Sequence, residues 1–171
     1  MSPASDNVIF YDTEFSSLDP YIGEILSIGL VKVNGESLYL ELDYTGEYSD
    51  WVKENILDDL KGPKVSRTVA KMQVENFIGG NRPYMVANVN CYDAVYTYKI
   101  FGADHHPFNW IPVDFASMLF AHGIDPEVYI NREEKFFARL GVDFHKYYQH
   151  NALDDAKLLR DTYLALVRSR K

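Results

Sequence analysis

Two carboxylates two residues apart, Asp12 and Glu14, close the apolar run Val8-Ile9-Phe10-Tyr11, and no other stretch restricts the fold as tightly. Side chains at i and i+2 of a strand point to one face, so the two acids converge if the strand runs through them. Burying ionised carboxylates is costly unless a positive charge compensates them, and a divalent cation is the usual compensation. The competing reading ends the strand at Tyr11 and leaves both acids in a solvated loop. Asp-x-Glu alone is a common pattern, so the rest of the chain has to decide.

The strand of residues 7–13 is followed by an apolar segment, 24–33, and by Asn34-Gly35, a strong hairpin signal. Residues 37–42 then alternate as Ser-Leu-Tyr-Leu-Glu-Leu, which predicts a third strand antiparallel to the second. Residues 50–60 read as a short helix capped by Ser49 or Asp50, and Ser66 caps a second that runs to Ile78 before Gly79-Gly80. A strand over 83–89, a helix over 92–101, a loop over 104–112 and a strand over 113–115 come next. Helical segments over 116–122 and 126–140 and a long helix over 151–168 complete the chain. This order predicts an α/β domain with a mixed five-stranded sheet.

A chain of 171 residues suits one domain, 1–171, with residues 1–6 as an N-terminal tail. No apolar run approaches the roughly 20 residues needed to span a bilayer. Residues 1–7 lack the features of a signal peptide, and the single Cys91 has no internal partner, so the expected location is cytoplasmic. The formal net charge of -8 argues against extended duplex binding, but is compatible with a short substrate or a strand end.

The final helix adds to the case for a site. At roughly 100° per residue, Ala152, Ala156, Leu159, Tyr163 and Leu166 share a core-facing stripe. Asp155 lies at the edge of that stripe, whereas Asp154 lies on the solvent side. His150 precedes the helix and can reach the same region. Asp93 opens the helix after the 83–89 strand. It reads either as an acid favoured by the helix dipole or as a ligand at the carboxyl end of a strand, where α/β sheets place their sites.

In these stretches the sequence resembles the DEDD 3′-to-5′ exonucleases of the subgroup with a histidine in the third motif. Residues 11–20, Tyr-Asp-Thr-Glu-Phe-Ser-Ser-Leu-Asp-Pro, resemble the first motif, Tyr92-Asp93 the end of the second, and residues 150–156, His-Asn-Ala-Leu-Asp-Asp-Ala, the third. Asn88-Val89 stands where the family usually has His-Asn, and Ser17 replaces a common Gly. Within the family the chain is most similar to small bacterial exoribonucleases, with oligoribonuclease and the RNase T group more distant.

The resemblance implies a ribonuclease H-like fold and hydrolysis of RNA 3′ ends with two Mg²⁺ or Mn²⁺ ions, releasing nucleoside monophosphates. Asp12 would bridge both ions, Glu14 and Asp155 would complete one, Asp93 would hold the other directly or through water, and His150 would be the general base. Thr13, Phe15, Leu18 and Tyr92 are the candidate substrate contacts. Leu18 falls where the family sets an apolar side chain against the terminal base; Phe15 and Tyr92 read more readily as core. A proofreading-type DNA exonuclease is the alternative activity, and an inactive nucleic-acid-binding relative the alternative outside enzymes. A homodimer is expected from the resemblance. His105, His106, His122 and His145 have no acid at motif spacing and read as surface or hydrogen-bonded residues. Lys61, Lys64, Arg67 and Lys71 read as a solvated basic face.

Overall fold

The computed structural model describes residues 7–169, so the expected tail 1–6 lies outside the described residues. Strand β1 spans Val8–Phe15, β2 Ile25–Lys32 and β3 Ser37–Leu42, and the three form the expected antiparallel meander. β1 therefore carries both Asp12 and Glu14 within the strand and does not end at Tyr11. Gly35, at φ +94, supplies the turn conformation that a side chain would resist, and the Asn34 carboxamide accepts the Glu36 N–H.

Helix α1 (Asp50–Asn55) starts at Ser49, whose hydroxyl accepts the Val52 N–H, and gives way to a 3₁₀ turn over Leu57–Asp59. The expected helix 50–60 is thus shorter. Residues Lys64–Val65 form β4, a two-residue strand parallel to β3, so among the described residues the sheet has six strands and not five. Two residues show no periodicity, which is why β4 is invisible to pattern reading. Helix α2 (Arg67–Ile78) has the Ser66 cap; β5 (Tyr84–Ala87), α3 (Cys91–Phe101), β6 (Val113–Asp114) and α4 (Phe115–Ala121) follow. The segment 126–140 divides into α5 (Glu127–Ile130) and α6 (Glu134–Leu140), broken where Arg132 adopts φ +49. The last helix, α7, spans Ala152–Arg168.

The strand order is β4-β3-β2-β1-β5-β6, with β5 and β6 parallel to β1. Alternation along β1 divides the core between the two faces of the sheet. Ile9 and Tyr11 face α2 and α3, with Val74, Tyr96 and Ile100. Val8 and Phe10 face α7, with Leu159, Tyr163 and Leu166, and Phe10 meets Tyr163 edge-on at 5.1 Å. Each large apolar side chain so buried contributes roughly 1.5–3 kcal/mol. Asp12 and Glu14 continue the parity of Val8 and Phe10, so they point to the α7 side. Among the described residues no helix is long and apolar enough to cross a membrane.

Candidate active site

Helix α7 reaches the acids of β1 because β2 has a glycine where the two meet. Gly29 pairs directly with Asp12, and a Cβ on it would lie 2.1 Å from the Ala152 carbonyl oxygen. Only the absence of a side chain lets the start of α7 lie against the sheet at that level. Asn151 caps the helix, its side-chain oxygen accepting the Asp154 N–H, and Asp155 in the first turn is then carried over β1.

Oxygens of Asp12, Glu14 and Asp155 lie within 4.8 Å of one another, the only such group of three potential ligands among the described residues. They line a cavity of about 220 Å³ with Asp93, Tyr92, Arg132 and His150. Burial, followed by the charges of Asp155, Asp93 and Glu14, holds the Asp12 carboxyl well above the usual carboxylate range. Burial, then Asp155 and Asp93, pushes Glu14 up to about 8. Among the described residues no side-chain or backbone donor bonds either carboxylate. Asp155 differs: burial raises it only to about 6, because Arg132 beside it opposes the shift. The Arg132 Nη2–H donates to Asp155 Oδ1 at 2.7 Å, and the His150 N–H donates to Asp155 Oδ2 at 2.8 Å.

Asp93 sits in the first turn of α3, at the edge of the cavity but outside the tight group of three. The Thr13 hydroxyl donates to its Oδ1 at 2.7 Å, and burial raises its carboxyl to about 7. Thr13 points to the opposite side of β1 from Asp12 and Glu14. Its hydroxyl is engaged with Asp93, and the residue also lines the acid cavity. Asp154, expected on the surface, is as covered as Asp155, with side chains 20% and 21% exposed. Direction separates the two acids: Asp154 pairs with Lys157 at 3.1 Å and accepts the Tyr148 N–H.

The His150 backbone is left-handed, at φ +62, and its ring meets Trp51 edge-on at 5.0 Å. Burial, helped by the Arg132 charge, lowers its pKa, so the ring is neutral near pH 7 and can accept a proton. Arg132 and Trp51 are the residues that motif reading misses. Arg132 lies in a break between two short helices with no spacing to mark it. Trp51 is 51% exposed just inside the Ser49 cap, and a tryptophan that a capped helix leaves outside the core was the available signal.

A second concavity of about 520 Å³ adjoins the acid cavity through Glu14 and Phe15, and is lined by Ser17, Leu18, Ser49, Trp51 and Val52. Leu18 is 64% exposed there. Its loop is tied to α3 by the Tyr96 hydroxyl, which donates to the Ser17 carbonyl, and by Lys99 on the Pro20 carbonyl at 2.8 Å. Phe15 stacks on Tyr96 at 4.4 Å, whereas Tyr92 is partly exposed at the cavity wall. His106 is buried and stacks on Tyr98, and His145 is exposed and pairs with Glu134. Arg67 is engaged with Glu24 at 2.6 Å, and Lys71 lies over Phe101. Lys61 and Lys64 are exposed.

The donor set fits a hard divalent cation: three carboxylates converge, two have no donor among the described residues, and all four acids of the cavity are held above their ordinary range by burial. No protein-family model matches the chain, and no curated protein matches it in sequence. Among solved structures, the zinc-ion-bound form of E. coli exonuclease I in complex with single-stranded DNA matches with a TM-score of 0.65 at 16% identity, over 96% of this chain and 40% of that one. E. coli exonuclease I in complex with a 5cy-dT13 oligonucleotide matches at 0.64 and 14%, over 96% and 41%. The chain therefore spans about two fifths of the length of the solved chains it matches. At this identity the likeness establishes the fold, an α/β ribonuclease H-like architecture with a mixed sheet.

Proposed function

We propose that this chain is a metal-dependent 3′-to-5′ exoribonuclease that releases nucleoside 5′-monophosphates from single-stranded or short RNA ends. One observation carries the reading. Two buried carboxylates that no donor among the described residues satisfies share a cavity with a third acid and a neutral histidine, beside a roomy groove with an exposed leucine and tryptophan. Polarity and the two-ion stoichiometry rest on the motif resemblance. The match to exonuclease I adds a solved protein of the same fold, bound to single-stranded DNA and, in one structure, to zinc.

Asp12, Glu14 and Asp155 would hold one Mg²⁺ or Mn²⁺, with Asp12 shared by a second ion on the Asp93 side. Bound there, such ions stabilise charge on the attacking and leaving oxygens of a phosphodiester. Thr13 holds Asp93 in place, and Trp51 packs perpendicular to the His150 ring. A ring nitrogen of His150 takes the proton of the attacking water as its oxygen bonds to phosphorus and the ribose 3′ oxygen leaves. The groove receives the terminal nucleoside, with Leu18 and Trp51 against the base. Stacking of this kind suits an unpaired base and is indifferent to sequence.

DNA is the second reading, favoured by the DNA bound in both solved exonuclease I structures. A time course on matched 5′-labelled RNA and DNA strands with Mg²⁺, Mn²⁺ or EDTA tests both. Stepwise shortening of RNA with either metal and none with EDTA is expected. Faster DNA shortening would transfer the reading to DNA, and no shortening of either strand would end it. The proposal includes a homodimer, and light scattering at micromolar concentration that returned a monomer mass would remove it.

A further inference from the structure

Asp155 is the one member of the three-acid group whose two oxygens both accept protein donors: the Arg132 Nη2–H on Oδ1 and the His150 N–H on Oδ2. Arg132 is itself fixed. Its Nη1–H donates to the Tyr147 carbonyl at 2.6 Å, and the Tyr147 hydroxyl donates to Asp161, about 1.7 turns along α7 from Asp155, at 2.6 Å. The circuit closes on α7 at both ends. The side chain of Arg132 is 13% exposed, and its backbone holds the left-handed φ of +49 that a non-glycine residue adopts only where its surroundings enforce it. Among the described residues lining the acid cavity, it alone carries a permanent positive charge.

We infer that Arg132 is a positioning residue: it holds the Asp155 carboxylate in the orientation that receives a divalent cation, and through Tyr147 it fixes the segment 147–150 that carries His150. This rests on the metal-site reading above. Each Asp155 oxygen retains a lone pair beyond the one its donor occupies, so the clamp orients the ligand without using it up. Partners of this kind behind a metal ligand change metal affinity or activity by about 10–100-fold when removed. A bystander cation would act in the opposite direction, because it repels the incoming ion.

Mn²⁺ titration of the metal-free protein by calorimetry separates the two. Arg132→Met is expected to weaken Mn²⁺ binding by about tenfold or more. Arg132→Lys, which keeps the charge but reaches only one of the two acceptors, should fall between it and the unaltered protein. On a short labelled oligonucleotide, kcat should drop with KM within about twofold, since an orienting role does not bind substrate. Unchanged or tighter Mn²⁺ binding by both variants would overturn the inference alone. A rise in KM at constant kcat would do the same, by making Arg132 a substrate contact. Failure of the unaltered protein to bind Mn²⁺ would overturn the metal site and the inference together.

Discussion

The two acids on the strand and the two at helix starts solve the same problem in opposite ways. Asp12 and Glu14 are delivered by the pleat of β1 into a buried face with no donor among the described residues to meet them. Asp93 and Asp155 sit in first turns of helices and have partners, Thr13 for one and Arg132 with the His150 N–H for the other. The strand pair therefore loses stability by being charged, and the helix pair is partly repaid within the protein. A fold that keeps the strand pair bare leaves their compensation to something that binds, which is the usual trade of stability for function.

The comparison breaks most visibly at Asp12. Asp12→Asn should lower nuclease activity by on the order of 10³-fold, the upper range for one preorganised electrostatic group, while raising the melting temperature of the metal-free protein. Asp155→Asn should also abolish most activity, but raise the melting temperature less than Asp12→Asn does, because Arg132 already offsets part of the burial cost of Asp155 and loses its charge partner in the variant. A smaller gain for Asp155→Asn than for Asp12→Asn in calorimetric melts is the test. Equal gains would erase the distinction between the two acids.

Gly29→Ala comes next. A methyl group 2.1 Å from the Ala152 oxygen forces the start of α7 away from Asp12, at a cost of about 1–3 kcal/mol. The loss of activity, measured where the variant is fully folded, should exceed what that destabilisation explains.

pH acts on all four acids in one direction. Each has a folded-state pKa above its unfolded one, Glu14 at about 8 and Asp155 at about 6, so the folded protein binds more protons than the unfolded chain between roughly pH 4 and pH 8. Their contribution to the stability of the metal-free protein falls as pH rises through that window. Melting temperature without metal should decline from pH 6 to pH 8, and Mn²⁺ should raise it more at pH 8 than at pH 6. A Mn²⁺ effect independent of pH would contradict the account. The smallest effect is expected at Leu18. Leu18→Ala removes one exposed wall of the groove and should raise KM severalfold with little change in kcat.

Much of this arrangement was legible along the chain, and the residues that were not share a reason. Strand parity places Asp12 and Glu14 on one face, and helical phase turns Asp155 inward, because both depend on periodicities local to one element. Capping by Ser66 and the Asn34-Gly35 turn were readable for the same reason. Gly29 looked like an ordinary residue of an apolar strand, since its meaning lies in Ala152, far along the chain. Arg132 was hidden inside a segment read as helix 126–140, and its value depends on a left-handed backbone and on partners in two other elements. Thr13, read as a substrate contact from the motif, lines the acid cavity, and its bond to Asp93, 80 residues away in the chain, has no local signal. Asp154 and Asp155 are equally covered, so burial does not separate them; direction does.

The most direct measurement is a crystal of the protein soaked in Mn²⁺, with anomalous scattering used to locate the ion. The account predicts a peak within metal–oxygen bonding distance of Asp12, shared with Glu14 and Asp155, in the cavity beside His150. No peak there, or peaks only at other acids, would contradict it.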